Sequence, residues 1–512
     1  MAALAPVSDP PSNDESPHPP ANWWWLFAYW MLTLAVTILG WPYATDFKQW
    51  LLLDQGTALR LDQLVAQGRI PTIDFNYFYG PMGVLLTRTI HALTPLNPIA
   101  TFQIVQGLSG LGMAWVVWRM SEQGQWSAPI RILIGVWLFW FVIPTHASFV
   151  HLFEKCFLLV ALMRLLAGSR TGAICWALLA CTVKAGLGQV LLAWILVWEC
   201  RDYWLRIKTP RQVWHTVRLP VLLGLGLLTL FVMCFGGRAV WQMLVPLVPM
   251  RFYREEEFGF WGKYGRAIWD PAQNSWMDFV FEPFLSWMLL TLIVAIVAGV
   301  ELFRQGSRPS SAALETRSAL ALLAIVGMFV LYGHPATWIY FCPFTFLAVA
   351  SVLALLPEHS KALPRIVFGL VLLTGLPMMT TSLHYSGRWE SRQLFPEHPW
   401  LGQSPGFGKE YQELLARNPE PFVLLNGFPE GIFDPRILAP ECSWVTTIPV
   451  FTPQEQDRLR ALVRGRRIGV PIIRGDADHA RIQQWPLMRE LLAGRKSLWR
   501  GKLFELFDVP ES

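Results

Sequence analysis

The stretch from Leu53 to Pro81 reads LDQGTALRLDQLVAQGRIPTIDFNYFYGP. In order it holds Asp54, a helical run, Gly68-Arg69-Ile70-Pro71, Asp74-Phe75 and Tyr77-Phe78-Tyr79-Gly80-Pro81. It follows an apolar run, Trp23 to Trp41, that contains no charged side chain. Such a run is about long enough to cross a hydrocarbon core of ~30 Å. Asp54 therefore falls just beyond a membrane crossing, where a carboxylate is costly unless it meets water, a partner or a function. Within hydrogen-bond reach of a hydroxyl, that carboxylate can take a proton as a general base. The alternative is that Asp54 caps or solvates an interfacial helix. Asp46, nearer the apolar run, is the second candidate base. Asp62 falls mid-helix and Asp74 precedes a turn, positions that suit structural roles.

Other groups stand at similar places. Lys184, in CTVKAGLG, sits among apolar residues at the end of an apolar block. A buried lysine must be paired or neutralised, unless its stem lets the ammonium snorkel to water. His146, His151, Glu154 and Lys155 cluster at another block boundary; Glu154 can bind hydroxyls or form a structural pair with Lys155. His334 and Tyr340, in GHPATWIYFCP, mark a further boundary. The segment 237–282 holds Arg251, Arg254, Glu255, Glu256, Glu257 and many aromatics, the mixture of a substrate lid or of an interfacial loop.

The elements that must hold these groups are membrane helices. Of 512 residues, 53% are hydrophobic and 15% charged, against about 25% charged in soluble domains. The 27 tryptophans suit headgroup boundaries. About eleven spans are expected, near 23–42, 99–118, 130–146, 152–168, 171–185, 187–200, 217–236, 283–302, 318–333, 336–356 and 365–382. The fifth and sixth are separated only by Lys184 to Gly188. The net charge of +6 comes from basic residues between blocks, among them Arg119, Arg170, Arg201, Lys208, Arg304 and Lys361. A cytoplasmic N-terminus puts all these loops inside, obeying the positive-inside bias. That pattern leaves no basic face for nucleic acid.

This topology places 43–98, the 146–155 junction, 237–282 and everything after 383 outside. Residues 1–22 form a disordered cytoplasmic tail, 23–382 the membrane domain, and 81–96 a helix lying at the interface. Residues 383–512 form a small extracytoplasmic α/β domain. Its strands are expected in 421–427, 443–450, 467–473 and 503–509, and its helices over 453–464 and 479–493. Asp434, Asp476, Asp478 and His479 are its polar candidates, with 476–479 also readable as a helix start. The seven cysteines show no metal-type spacing and no disulfide framework. No phosphate loop, dinucleotide fingerprint, nucleophile elbow or zinc-protease helix is present. No metal or cofactor is expected, a divalent cation having no ligand set in its favour.

The 53–81 stretch resembles the first periplasmic loop of the GT-C superfamily. These are polyprenyl-phosphate-sugar-dependent membrane glycosyltransferases, here of the bacterial mannosyltransferase and aminoarabinose-transferase kind. Many members carry an acidic pair plus glycine after the first span, then G-x-V/I-P-x-x-D-F and an aromatic Y-G-P stretch. Gly68 and Asp74 lie 14 and 20 residues after Asp54, which agrees. Gln55 stands where the family's second acid is common. Lys184 resembles the family's Lys-Gly-Pro or Lys-Pro element, with Ala185 in place of the usual next residue. The family often places an acid near Glu154, and a basic or aromatic residue followed by Tyr and Pro near His334 and Tyr340.

The resemblance implies an inverting glycosyltransferase of the bacterial inner membrane and cell envelope. It would pass a sugar from a polyprenyl-phosphate donor to a lipid, glycan or protein acceptor on the outer side, among membrane lipids. Asp54 would be the base, and Lys184 and Arg251 would hold the donor phosphate. Glu154, Asp74, Tyr77 and His334 would place the sugar or acceptor. Two rival classes share the topology. A lipid-linked solute transporter or flippase would show internal repeats and broken mid-membrane helices. A polysaccharide polymerase or ligase would rely on arginines in a large outer loop.

Overall fold

The computed structural model describes residue 31, 61–96 apart from 76 and 78, scattered positions between 101 and 119, and 149–245. Of the C-terminal part it describes 405–425, 436–438, 453–472, 479–480 and 483–510 apart from 503. The expected spans at 23–42, 130–146, 283–302, 318–333, 336–356 and 365–382 lie outside these residues or nearly so, as does the expected strand at 443–450.

Residues 61–66 are helical, and after an irregular turn the chain enters α1, Pro81–Leu93. Proline at the first helical position sets its start, because the N–H it lacks would have no helical partner. The described positions of 101–119 are helical. Then come α2 (Phe149–Leu166), α3 (Arg170–Val183), α4 (Leu187–Trp204), α5 (Pro210–Phe235) and α6 (Gly237–Leu244). Helix α3 is the hub: α2, α4, α5 and α1 all pack on it. Its buried face is small, with Ala173, Ala177 and Ala180 fully enclosed, so neighbouring helices approach closely.

Helix α5 begins earlier than the apolar run at 217 suggests. Thr209 and Gln212 form a capping box, and Pro210 follows at the first position. These end signals outrank hydropathy, so Arg211 rides on the helix instead of preceding it. At 26 residues and ~1.5 Å per residue, α5 exceeds a hydrocarbon core. Among the described residues it is the one helix long and apolar enough to cross a membrane, by length and composition. Leu222, Leu225, Leu228 and Met233 are exposed along it, whereas Phe231 and Phe235 are buried.

At one end of α3 and α4 lies a charge network. Arg170 bonds Glu199 at 2.7 Å and Asp202 at 2.6 Å, and Lys208 bonds Glu199 at 2.7 Å. The Arg170 guanidinium also lies 4.4 Å above the Trp198 ring. Both carboxylates are buried and each is held by cations, the condition for tolerating a buried charge. This network and Lys184 occupy opposite ends of α3.

The C-terminal part folds as α7 (Pro405–Ala416), β1 (Phe422–Leu424), β2 (Ile437–Leu438) and α8 (Pro453–Val463). These are followed by β3 (Ile468–Pro471), α9 (Pro486–Leu492), β4 (Ser497–Arg500) and β5 (Phe504–Phe507). The sheet order is β2-β1-β3-β5-β4, parallel through the first three strands and antiparallel through the last two pairings. Alternation divides its faces. Val423, Ile468, Val470 and Phe507 pack against α8 and α9. Phe422, Leu424, Phe504 and Leu506 join Leu414 and Leu415 of α7 in an apolar cluster continuous with the 61–96 segment. Arg458 of α8 also faces Asp74 at 3.8 Å. The C-terminal domain therefore sits on the same side of the molecule as the 61–96 segment.

Candidate active site

The turn at 70–75 is tied from within. The Asp74 carboxylate accepts the Ile70 N–H at 2.7 Å, and Pro71 and Phe75 form an isolated bridge. Thr72 has φ +66°, a left-handed conformation that few non-glycine residues adopt. Its hydroxyl donates to the Ala239 carbonyl of α6 at 3.5 Å. The Asp74 carboxylate thus closes the turn and faces Arg458, a structural placement that uses both of its oxygens.

Beyond this turn the alternate residues Phe75, Tyr77 and Tyr79 are all buried. Their rings meet edge to face, Phe75 to Tyr77 at 6.1 Å and Tyr77 to Tyr79 at 5.5 Å. Such pairs contribute about 0.5–1.5 kcal/mol each beyond burial, which is enough to stiffen a loop with no regular backbone ladder. Gly80 then donates its N–H to the Val183 carbonyl at 2.7 Å. A Cβ on Gly80 would overlap the Thr182 carbonyl oxygen, so the backbone contact requires glycine.

That contact brings the loop to the break between α3 and α4. Helix α3 ends at Val183, Lys184 is extended, and Gly186 takes φ +139° before α4 begins. Only glycine adopts that conformation readily, so the break is written into Lys184-Ala185-Gly186. The Lys184 ammonium stands 5.6 Å from the Tyr79 ring centre, within cation–π range. A cation at an aromatic wall beside a break between two helices is suited to hold an anion.

Glu154 and Lys155 are both fully buried on α2. Glu154 lies close enough to Cys181 of α3 for its charge to act on that thiol. Cys181 is one turn before Lys184, so Glu154 stands at the same end of α3. Of the sequence-derived candidates, Tyr77 contacts the ring that stands beside Lys184, and Glu154 lies on α2, which packs on α3. Asp74 lies on the neighbouring turn, facing the C-terminal domain. Asp54, Asp46, Arg251 and His334 lie outside the described residues.

Sequence reasoning passed over two participants. His91 of α1 faces Asp62 at 3.4 Å, a pair hidden in sequence because its members belong to different helices. Gln189 of α4 donates to the Leu244 carbonyl at 2.9 Å, fastening the end of α6 beside the break.

No protein family's profile matches the chain, and no curated protein does. Among solved structures, the crystal structure of ArnT from Cupriavidus metallidurans bound to undecaprenyl phosphate is similar. The identity is 13%, the TM-score 0.47, and the alignment covers 95% of this chain and 98% of that one. A likeness at that level carries no argument about chemistry, which rests on the residues themselves.

Proposed function

We propose that this chain is an inverting GT-C-type glycosyltransferase of the inner membrane. It moves a sugar from a polyprenyl-phosphate carrier to an acceptor on the outer side. The observation that carries this reading is the junction of two separated motif elements. The Tyr-Gly-Pro stretch, which follows the first acid, docks by Gly80 on Val183 and stands against Lys184. A phosphate-binding cation and the acid-bearing segment must be neighbours for the reaction, and this contact supports that demand.

In the proposed reaction the acceptor hydroxyl oxygen attacks the anomeric carbon, and Asp54 takes its proton. The bond from that carbon to the phosphate oxygen breaks, and the electron pair leaves with polyprenyl phosphate. Lys184 and Arg251 offset the charge that builds on the departing phosphate. Glu154 hydrogen-bonds sugar or acceptor hydroxyls, and Tyr77 forms part of the aromatic wall. The contact between Arg458 and Asp74 supports placing the C-terminal domain outside with the first loop. There it modulates acceptor choice without supplying the base.

The test is to incubate purified protein with a panel of polyprenyl-phosphate sugars and follow sugar release or transfer. Turnover of at least one monophosphate donor is expected. Inactivity on every such donor, together with turnover of lipid-diphosphate donors, would move the chain to the polymerase or ligase class.

A further inference from the structure

The carboxylate of Asp62 is almost wholly enclosed, its side chain 1% exposed, and the His91 imidazole opposite is 11% exposed. Their nearest atoms, Oδ2 and Nε2, are 3.4 Å apart. Thr87, one turn before His91 on α1, stands beside the carboxylate. Its hydroxyl also donates to the Gly83 and Val84 carbonyls. On the other ring nitrogen, Nδ1 lies 3.4 Å from the Leu96 carbonyl and 3.4 Å from the Thr101 hydroxyl. From the loop side, Tyr77 is close enough for the Asp62 charge to act on its phenol.

A buried ion pair is poor value as a stabiliser, because removing its charges from water costs several kcal/mol. Leucine and phenylalanine would fill the same space without that cost. The pair does something packing cannot: it fixes the 61–66 helix against α1 at one registered point. Tyr77 packs in one buried cluster with Leu61 and Leu64 of the 61–66 helix and Val84 of α1, and its ring partner Tyr79 stands against Lys184.

We propose that Asp62 and His91 are a positioning pair that holds the Tyr77–Tyr79 wall against Lys184, so that the hold depends on the charge His91 carries opposite Asp62. The consequence for donor binding rests on the reading of Lys184 as the phosphate-binding cation. Burial pushes the Asp62 carboxyl up, and the facing Asp62 carboxylate raises the His91 imidazole against the opposing effect of its own burial. Both shifts are upward, so the folded protein binds more protons than the unfolded chain. The stabilisation is therefore complete at low pH and is lost as pH rises, the last of it above the ordinary imidazole value of about 6.5.

The experiment is hydrogen exchange of full-length protein in lipid nanodiscs between about pH 6 and 9, corrected for intrinsic exchange and read on peptides covering 75–93. Wild-type protection should fall as pH rises through the raised imidazole value. His91→Gln and Asp62→Asn should each flatten that dependence, and Asp62→Glu should restore it. In the transfer assay the donor KM of the wild type should rise several-fold over the same range while kcat holds; His91→Gln should show a flat KM. A wild-type exchange curve without pH dependence overturns the proposal even if no variant is recovered, and so does an unchanged dependence in His91→Gln. If exchange behaves as expected but no sugar donor turns over, the pair stands and the glycosyltransferase reading fails. If transfer is seen but exchange is flat, only the pair is lost.

Discussion

The Lys184 ammonium faces the Tyr79 ring at 5.6 Å although 105 residues of sequence separate them. The contact exists because the next residue, Gly80, is bonded to the residue before Lys184. That backbone bond anchors one end of the aromatic wall beside the cation.

Lys184 should act on charge, not on shape. Lys184→Met should lower transfer by about 10²–10³-fold, the loss seen when one donor is removed from an anionic transition state, while Lys184→Arg retains a substantial part. Steady-state kinetics on a polyprenyl-phosphate sugar checks this. Equal activity of the Met variant and wild type would leave Lys184 as a snorkelling residue.

Gly80→Ala should detach the wall. Its Cβ meets the Thr182 carbonyl oxygen, a backbone atom that cannot swing aside. Overpacking of this kind costs about 1–3 kcal/mol. A lower melting temperature and weaker donor binding should appear together, read by a thermal-shift assay and donor titration. Gly226→Ala, at a glycine with open space around it on α5, should leave donor binding unchanged and should not lower the melting temperature, since alanine favours a helix interior.

How much of this was written plainly in the sequence differs from residue to residue. The Tyr77 to Pro81 stretch stood out in the sequence as a motif. The shared burial of Phe75, Tyr77 and Tyr79 did not, because the described residues there form no strand to impose a period of two. The break at Lys184-Ala185-Gly186 was legible, since glycine follows a charge inside an apolar run. The runs at 421–427, 467–473 and 503–509 carry β1, β3 and β5. By contrast β2 has two residues and β4 is mostly exposed, so neither offers a hydrophobic pattern. The start of α5 was obscured by Arg211 and Arg218, although Thr209-Pro210 and Gln212 signal it locally. Asp62 and His91 meet only because two helices cross. No local spacing encodes that crossing.

The C-terminal domain should carry an acid-sensitive core. His479 and Glu505 bond each other in the interior, and Ser497 donates to the other Glu505 oxygen at 2.8 Å. Burial pushes the Glu505 carboxyl up, but the bonds from His479 and Ser497 outweigh it and leave the carboxyl below its ordinary value of 4.5. The sign is that of a depressed carboxylate: the stabilisation is present above that ordinary value and is lost as pH falls through the lowered one. Glu505→Gln should cost about 1.5–3 kcal/mol at neutral pH, the worth of bonds to a charged group. The gap in melting temperature between variant and wild type should narrow in acid. A constant gap from pH 7 to pH 3 would show that the charge contributes nothing.

The most direct measurement is the rate of sugar transfer by Asp54→Asn protein beside wild type and Asp46→Asn, on a donor that the wild type turns over. Asparagine keeps the shape of aspartate and cannot accept the proton. The rate should fall by about 10²–10⁴-fold, the usual contribution of a general base, with donor affinity nearly unchanged because the carboxylate does not hold the phosphate. Asp46→Asn should lose far less. Near-normal transfer by Asp54→Asn, or equal damage from both substitutions, would contradict the assignment of Asp54 as the base.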